Sequence, residues 1–322
     1  MIVVTGGAGF IGSAIAQELN TRERADLIIV DDIDHPEKEK NIASIKYQEL
    51  IGKNSFLGKI LDRDIKSIEV IIHMGACSST TETDENFLTK NNYHYTRHLA
   101  TCALEKSIRF IYASSAATYG NGEMGYSDDE SKLKTLKPLN FYGESKHKFD
   151  LWAESQGILD RVVGLKYFNI FGPNEYHKGA MKSVVAQKYD AAKLGKPITL
   201  FKSYRPDCED GEQQRDFIYV RDCADVMLWL LDNPDVNGLF NLGTGRARSF
   251  MDLADALSSA TGKARHVEYI DMPSSIRERY QYFTEAAMSR LRAAGFVKPF
   301  TSLEAGVADY VKNFLATNDP YL

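Results

Sequence analysis

The stretch Met1-Ile2-Val3-Val4-Thr5-Gly6-Gly7-Ala8-Gly9-Phe10-Ile11-Gly12 decides the fold. Met1 to Val4 is a short apolar run without alternation, the pattern of a strand buried on both faces. Glycines stand at 6, 9 and 12, and Phe10 to Leu19 then carries Ile11, Ala14, Ile15 and Leu19 at helical spacing. A strand that breaks into glycines and restarts as a helix makes a phosphate-binding turn. Gly6 permits the turn, Gly9 lets the backbone approach a pyrophosphate, and Gly12 lets helix and sheet pack closely. The helix N-terminus supplies free N–H groups and a positive dipole end. A second buried strand, Leu27 to Val30, leads into Asp31 and Asp32, where a carboxylate accepts from adenosine ribose hydroxyls. Lys38 and Lys40 follow in the same loop and would answer a 2′-phosphate. On residues alone, NAD and NADP both stay open.

Outward from this turn the pattern repeats. Val70 to His73, Phe110 to Ala113 and Arg161 to Phe168 read as further buried strands, with helical stretches at Tyr95 to Lys106 and Gly143 to Ser155. Short buried strands alternating with helices predict an α/β fold, a Rossmann-type doubly wound parallel sheet. Beyond about Pro173 the regularity weakens. Ser203 to Gln214 reads as a polar loop, Phe217 to Val220 and Leu239 to Leu242 as strands that rejoin a sheet, and Phe250 to Leu257 and Ser302 to Phe314 as amphipathic helices. The expected division is a dinucleotide-binding domain over 1–173 plus 217–247. A smaller, mixed substrate domain would take 174–216 and 248–322.

Composition narrows the function. The 322 residues carry a net charge of −5, which gives no electrostatic reason to bind nucleic acid or an anionic membrane. The longest apolar candidate, Val226 to Leu231, is far short of the roughly 18 residues that span a bilayer. The glycine-rich start does not read as a signal peptide. Cys77, Cys102, Cys208 and Cys223 show no CxxC spacing and read as free thiols in a reducing cytoplasm. No cluster has the spacing of a metal site.

The chemistry-bearing segment is Tyr142-Gly143-Glu144-Ser145-Lys146. Residues at i and i+4 share a helix face. An ammonium at Lys146 would favour phenolate at Tyr142 and fit it for acid/base work between an alcohol and a carbonyl. Upstream, Ser115 follows a buried strand in Ala113-Ser114-Ser115-Ala116-Ala117-Thr118-Tyr119-Gly120 and would hydrogen-bond the oxygen that Tyr142 protonates. Arg215 precedes a strand, and its planar fork suits a diphosphate. Its other reading is a structural salt bridge with Asp216 or a neighbour. His73 at a strand end is read as packing, and His177 as an exposed loop residue.

The segments TGGAGFIG, SSAATYG, YGESK, RDFIYV and NLGTG together resemble the extended short-chain dehydrogenases/reductases that act on nucleotide sugars. Within that superfamily the chain is similar to the ADP-L-glycero-D-manno-heptose 6-epimerase family. The segments GACSSTTETD (75–84), NNYHY (91–95), YFNIFGPNEYHKGAM (167–181), ERYQYFTEA (278–286) and LRAAGFVKPF (291–300) carry that likeness. The resemblance implies a cytoplasmic isomerase of lipopolysaccharide inner-core precursor synthesis, with tightly bound NADP, in a homopentamer. By position it implies cofactor contacts at Phe10, Ile11, Asp31, Asp32, Lys38, Lys53, Met74, Gly75, Ala76, Cys77, Ser78, Asn91, Lys146 and Ile170. It implies substrate contacts at Asn169, Phe201, Lys202, Ser203, Tyr204, Arg215 and Tyr280, and catalytic roles for Ser115, Tyr142 and Lys178. Asp32 stands where the family often has asparagine. Ala180 and Gln187 stand at substrate positions where it has serine and histidine, and the loop between Phe201 and Arg215 is longer than usual.

The expected reaction is transient oxidation at C6″ of an ADP-heptose. Tyr142, helped by Ser115 and Lys146, takes the hydroxyl proton while hydride passes to the nicotinamide. Rotation about the exocyclic bond presents the other face of the ketone, where Lys178 serves as the second acid/base. A 4,6-dehydratase would need Asp-Glu after the serine, where this chain has Ala116 and Ala117. A non-catalytic dinucleotide sensor would typically lack the Tyr142–Lys146 pair.

Overall fold

The computed structural model describes residues 1–61, 67–278 and 280–322. Seven parallel strands form the central sheet: β1 (Ile2–Thr5), β2 (Leu27–Val30), β3 (Glu49–Ile51), β4 (Val70–His73), β5 (Arg109–Ser115), β6 (Val162–Tyr167) and β10 (Gly238–Leu242). Their order is β10-β6-β5-β4-β1-β2-β3. β7 (Asn169–Phe171), β9 (Gln214–Tyr219) and β11 (Ala247–Ser249) make a three-stranded sheet, and β8 (Ile198–Phe201) pairs with β12 (Val267–Ile270). Of the two strands expected to rejoin a sheet, β10 adds to the central one beside β6, whereas β9 joins the small one between β7 and β11.

Apart from the edge strand β3, where Glu49 and Leu50 are exposed, the central strands have no solvent face. In β1, Ile2 and Val4 enter one core and Val3 the other, so unbroken apolar runs are what the position requires. On one face pack α1 (Phe10–Thr21) and α8 (Val220–Asp232). On the other pack α3 (Lys53–Leu61), α5 (Tyr95–Glu105) and α6 (Phe141–Ser155). α2 (Pro36–Asn41) and the one-turn α4 (Glu85–Leu88) border the cofactor side. A third core joins α7 (Val184–Lys193), α9 (Phe250–Thr261) and α12 (Leu303–Tyr310) to the small sheets. The short α10 (Ser274–Arg277) and α11 (Ser289–Ala293) complete the chain. Val226, Met227, Leu228 and Leu230 of α8 are all fully buried. At roughly 1.5–3 kcal/mol per large apolar side chain, their place is the core. No helix among the described residues is long and apolar enough to cross a membrane.

β1 to β3 run outward in one direction from β1, and β4, β5, β6 and β10 in the other. The reversal between β1 and β4 opens a crevice at the carboxyl ends of the strands, where ligands bind in open α/β sheets. The segments singled out for chemistry leave β1, β2, β4, β5 and β6 at that end.

Candidate active site

The glycine turn is built by contact. Gly6 has φ +64°, and a Cβ there would lie 2.6 Å from the Gly75 nitrogen in the loop after β4. A Cβ on Gly12 would lie 2.1 Å from the Gly6 carbonyl oxygen. Any side chain at either position would force the two loops, or the turn and α1, apart. Gly9 is the N-cap of α1 and offers no capping side chain, so the helix end stays open towards the crevice. Asp31 accepts from the Ala8 nitrogen at 3.0 Å and thereby ties the end of β2 to the turn.

Beside the turn lies a cavity of about 290 Å³ lined by Gly6, Asp31, Asp32, Lys38, Lys53, Gly75, Ala76, Cys77 and Asn91, among others. Lys38 reaches Asp34 at 2.7 Å and Asp31 at 3.1 Å. Burial raises the Asp31 carboxyl against the pull of Lys38. Burial also pushes Lys38 down, but the two carboxylates outweigh it and its ammonium is held. Lys53 donates to Asn91 Oδ1 at 2.9 Å, and its backbone nitrogen donates to Asp32. Lys40 points elsewhere, to Glu37. A dinucleotide fits these residues. The turn leaves no Cβ between backbone and phosphate, a helix N-terminus faces it, and a buried carboxylate stands at the ribose end.

A second cavity, about 370 Å³, continues past the turn. Phe10, Ile11, Met74, Ala76 and Ser78 line it from the cofactor side, and Ser115, Tyr142 and Lys146 form one wall. Asn169 and Ile170 of β7 and Lys178 of the loop after it contribute another wall. Four candidate catalytic residues from three separate segments therefore meet in one space. Asn140 caps α6 by accepting from Gly143 at 2.8 Å, which sets the helix that aims Tyr142 and Lys146 inward. Burial pushes the Tyr142 pKa up, and the neighbouring Ser115 hydroxyl works against that rise. The expected lowering by Lys146 is not seen. Lys146 donates to the Ala113 carbonyl at 2.7 Å, and burial takes its own pKa down to about 8. Both residues sit deeper than spacing alone conveys, and desolvation favours the neutral form of each.

Lys178 lies on a 3₁₀ turn, Tyr176–Met181, with its ammonium 5.6 Å from the centre of the Phe10 ring. Burial lowers its pKa, and Glu175 opposes that. His177, expected to be exposed, is partly buried, and desolvation brings it down to about 4, with Lys178 and Lys38 adding to the effect. His73 is fully packed between Thr5 and Thr96 at 2.6 and 2.8 Å and held neutral, with burial taking its pKa to about 3.

The remaining substrate candidates form a neighbouring cluster. Arg215 is buried and, among the described residues, makes no ion pair and donates only to the Gln214 carbonyl. The salt bridge with Asp216 does not form, because Asp216 accepts instead from Thr244, Gly245 and Ala286. The Arg215 guanidinium lies 5.0 Å from the Tyr280 ring and 5.7 Å from that of Phe250, which itself lines the second cavity. Phe201 packs edge-on to Tyr280. Lys202 pairs with Asp271, Ser203 accepts Arg205 and holds Asp210 through its backbone, and exposed Tyr204 lies under Arg277. Ala180 and Gln187 are joined to each other at 3.1 Å outside the cavity wall.

Sequence reading missed several residues that build the site. Asn92 accepts from the Cys77 nitrogen and donates to the Cys77 carbonyl, both at 2.9 Å, and so fixes the loop after β4. It does this from a π-helical turn, Thr89–His94, which lets two consecutive asparagines serve one site. The Asn-Asn pair was the available signal. Thr80, Gln281 and Thr284 also line the second cavity. They come from loops inside the segments 75–84 and 278–286 that carry the family likeness, but no local pattern singled them out.

The sequence profile of the NAD dependent epimerase/dehydratase family matches residues 2–243. The ADP-L-glycero-D-manno-heptose-6-epimerase of Nitratidesulfovibrio vulgaris (strain DP4) is 50% identical over 325 residues, covering 100% of both chains. The Fusobacterium nucleatum protein of the same name is 48% identical over 332 residues, again with 100% coverage of both. Among solved structures, the Helicobacter pylori ADP-L-glycero-D-manno-heptose-6-epimerase superposes with a TM-score of 0.81 at 29% identity, covering 97% of this chain and 95% of that one. A UDP-N-acetylglucosamine 4-epimerase from Methanobrevibacter ruminantium, in complex with UDP-N-acetylmuramic acid, gives 0.82 at 25% identity and 98% coverage of both.

Proposed function

Because the chain belongs to the NAD dependent epimerase/dehydratase family, and within it to the ADP-L-glycero-D-manno-heptose-6-epimerases, we propose that it inverts C6″ of an ADP-bound heptose using NADP. It is an isomerase, and its cofactor is a nicotinamide dinucleotide. The observation that carries the finer reading is the shared cavity, with Tyr142, Ser115 and Lys146 on one wall and Lys178 on another.

Gly6, Gly12, Asp31, Lys38, Lys53 and the loop Met74–Ser78 would hold the dinucleotide. Lys38 and Lys53 at the adenosine cavity support the 2′-phosphate of NADP over NAD. When bound, the nicotinamide removes and returns a hydride at the substrate carbon. Tyr142 must be ionised, against the burial that favours its neutral phenol, to take the C6″ hydroxyl proton, with Ser115 steadying that oxygen. C6″ is exocyclic, so rotation about its bond to the ring turns the ketone oxygen towards the other wall. Lys178 then gives that oxygen its proton, and the stereocentre is inverted. The two residues exchange roles in the reverse direction. Arg215 and the aromatic rings around it would take the diphosphate and base. Ala116 and Ala117 line the cavity where elimination of water would need carboxylates, which favours epimerisation over dehydration. Cytoplasmic placement, homopentameric assembly and a role in lipopolysaccharide precursor synthesis belong to the same reading.

The test has two parts. Dinucleotide released by denaturing the purified protein should be NADP; recovery of NAD alone would overturn the cofactor reading. Incubation with ADP-D-glycero-D-manno-heptose should invert one stereocentre by NMR. Tyr142→Phe should keep its fold and lose roughly 10²–10⁴-fold in turnover. Near-normal turnover would remove Tyr142 from the reaction.

A further inference from the structure

Lys178 projects from a loop, yet an acid/base must be held to a fraction of an ångström. The loop runs from Gly172, after β7, to Ser183, which caps α7 by accepting from Ala186. One buried side chain inside it touches both ends. The Glu175 carboxylate, 1% exposed, accepts from the Ser183 hydroxyl at 2.6 Å, from the Ser183 nitrogen, and from the Gly172 nitrogen at 3.4 Å. Its backbone carbonyl also accepts from the Lys178 nitrogen at 3.0 Å. The adjacent Asn174, at φ 72°, fastens the loop to the first layer by donating to Ser13 of α1 at 2.9 Å.

We infer that Glu175 is the positioning residue for Lys178, clamping the loop that carries it and supplying the negative charge that acts on its ammonium. This extends the two-base reading and rests on it for its kinetic consequences. The groups facing Lys178 are few. Phe10 presents its ring from α1, His177 adjoins it, and Tyr142, Lys146 and Lys182 line the same cavity. Glu175 is faced by Lys178, by Tyr176, and by Tyr310 from α12; burial raises its carboxyl, and the Ser183 and Gly172 donors together with Lys178 oppose that rise. Of the charged groups around Lys178, Glu175 is the one that opposes the loss of its proton. The carboxylate acts through space, since the two make no contact ion pair, so Lys178 keeps its ammonium free to enter the cavity.

The test uses the dinucleotide-loaded protein. The pH midpoint of Lys178 is read by competitive acylation and mass spectrometry, which needs no turnover. Glu175→Gln keeps the shape and removes the charge. Its Lys178 midpoint should fall below that of the wild type, and the limb of the kcat profile due to that group should move with it. kcat should drop by up to about 10²-fold with KM nearly unchanged. Glu175→Asp keeps the charge and shortens the reach. It should lose kcat with a midpoint close to the wild type, and it serves if the glutamine variant does not fold. An unmoved midpoint in Glu175→Gln, or full kcat in Glu175→Asp, overturns the proposal. Wild-type turnover in Lys178→Met would instead overturn the two-base reading, and the labelling result would remain to judge the electrostatic role of Glu175.

Discussion

Replacing Asp150 should cost the protein much of its stability. Asp150 lies on α6, fully buried, with Lys166 of β6 at 2.6 Å. One carboxylate oxygen accepts from the Tyr112 hydroxyl at 2.9 Å, and the other from Ser114 at 2.7 Å. Lys166 has a second partner, Thr118, at 2.9 Å. Asp150→Ala would strand the Lys166 ammonium with that single neutral acceptor and leave two hydroxyl donors without theirs. Breaking a buried pair costs about 3–5 kcal/mol, and the stranded donors place the loss at the upper end. Against a total stability of roughly 5–15 kcal/mol the variant would be marginal. The double variant Asp150→Leu with Lys166→Met should recover most of the loss, because an apolar pair leaves no charge behind. Urea unfolding of all three proteins, with dinucleotide at equal saturation, measures this. A cost below about 1.5 kcal/mol for Asp150→Ala, or a double variant no better than the single one, would refute the reasoning.

Two further outcomes follow from the site. Arg215→Met should raise KM for the nucleotide sugar by roughly 10–100-fold, the equivalent of charge-assisted hydrogen bonds to a diphosphate, with little change in kcat; an unchanged KM would release Arg215 from substrate binding. His73 should make the protein acid-sensitive. Its folded pKa is depressed to about 3, so below 6.5 the unfolded chain binds a proton that the folded one refuses. The stability it contributes is complete above 6.5 and is lost as pH falls towards 3, at up to about 1.4 kcal/mol per pH unit. Urea midpoints at pH 7.5 and 5.5 should therefore converge between wild type and His73→Gln, and a gap independent of pH would rule this out.

Six of the seven central strands were legible because they obey one local rule; the edge strand Glu49–Ile51, with Glu49 and Leu50 exposed, does not obey it and left no signal. Leu27 to Val30 and Val70 to His73 match the observed strands residue for residue, since a strand buried on both faces is an unbroken apolar run. The smaller sheets were not legible. Asn169–Phe171 and Ala247–Ser249 are three residues each, too short for any period to show. The strand expected over Phe217 to Val220 is Gln214–Tyr219, and it joins the small sheet rather than the central one, because pairing depends on partners far off in sequence. In the site, Gly6, Gly12, Asp31, Ser115, Tyr142 and Lys146 could be found because each serves a local geometric need. Residues that act by closing space left no periodic mark: Asn92 clamping Cys77, and Gln281 and Thr284 lining a wall.

Charge was the least legible property, and the reason lies in depth. Spacing puts Lys146 one turn below Tyr142, and from that alone the ammonium should pull the phenol towards ionisation. In the folded chain each group is buried, and burial drives the phenol's pKa up and takes the lysine's down to about 8. What opposes the loss of the Lys146 proton is Asp150, one further turn along the same face of α6. Tyr142, Lys146 and Asp150 thus stand at i, i+4 and i+8, and the electrostatic unit is the three together with Lys166 across the sheet. The carboxylate that keeps Lys146 charged near neutral pH is the same one that answers Lys166. Asp150→Asn would therefore let Lys146 fall further below about 8, and the alkaline loss of activity due to that lysine would begin at lower pH.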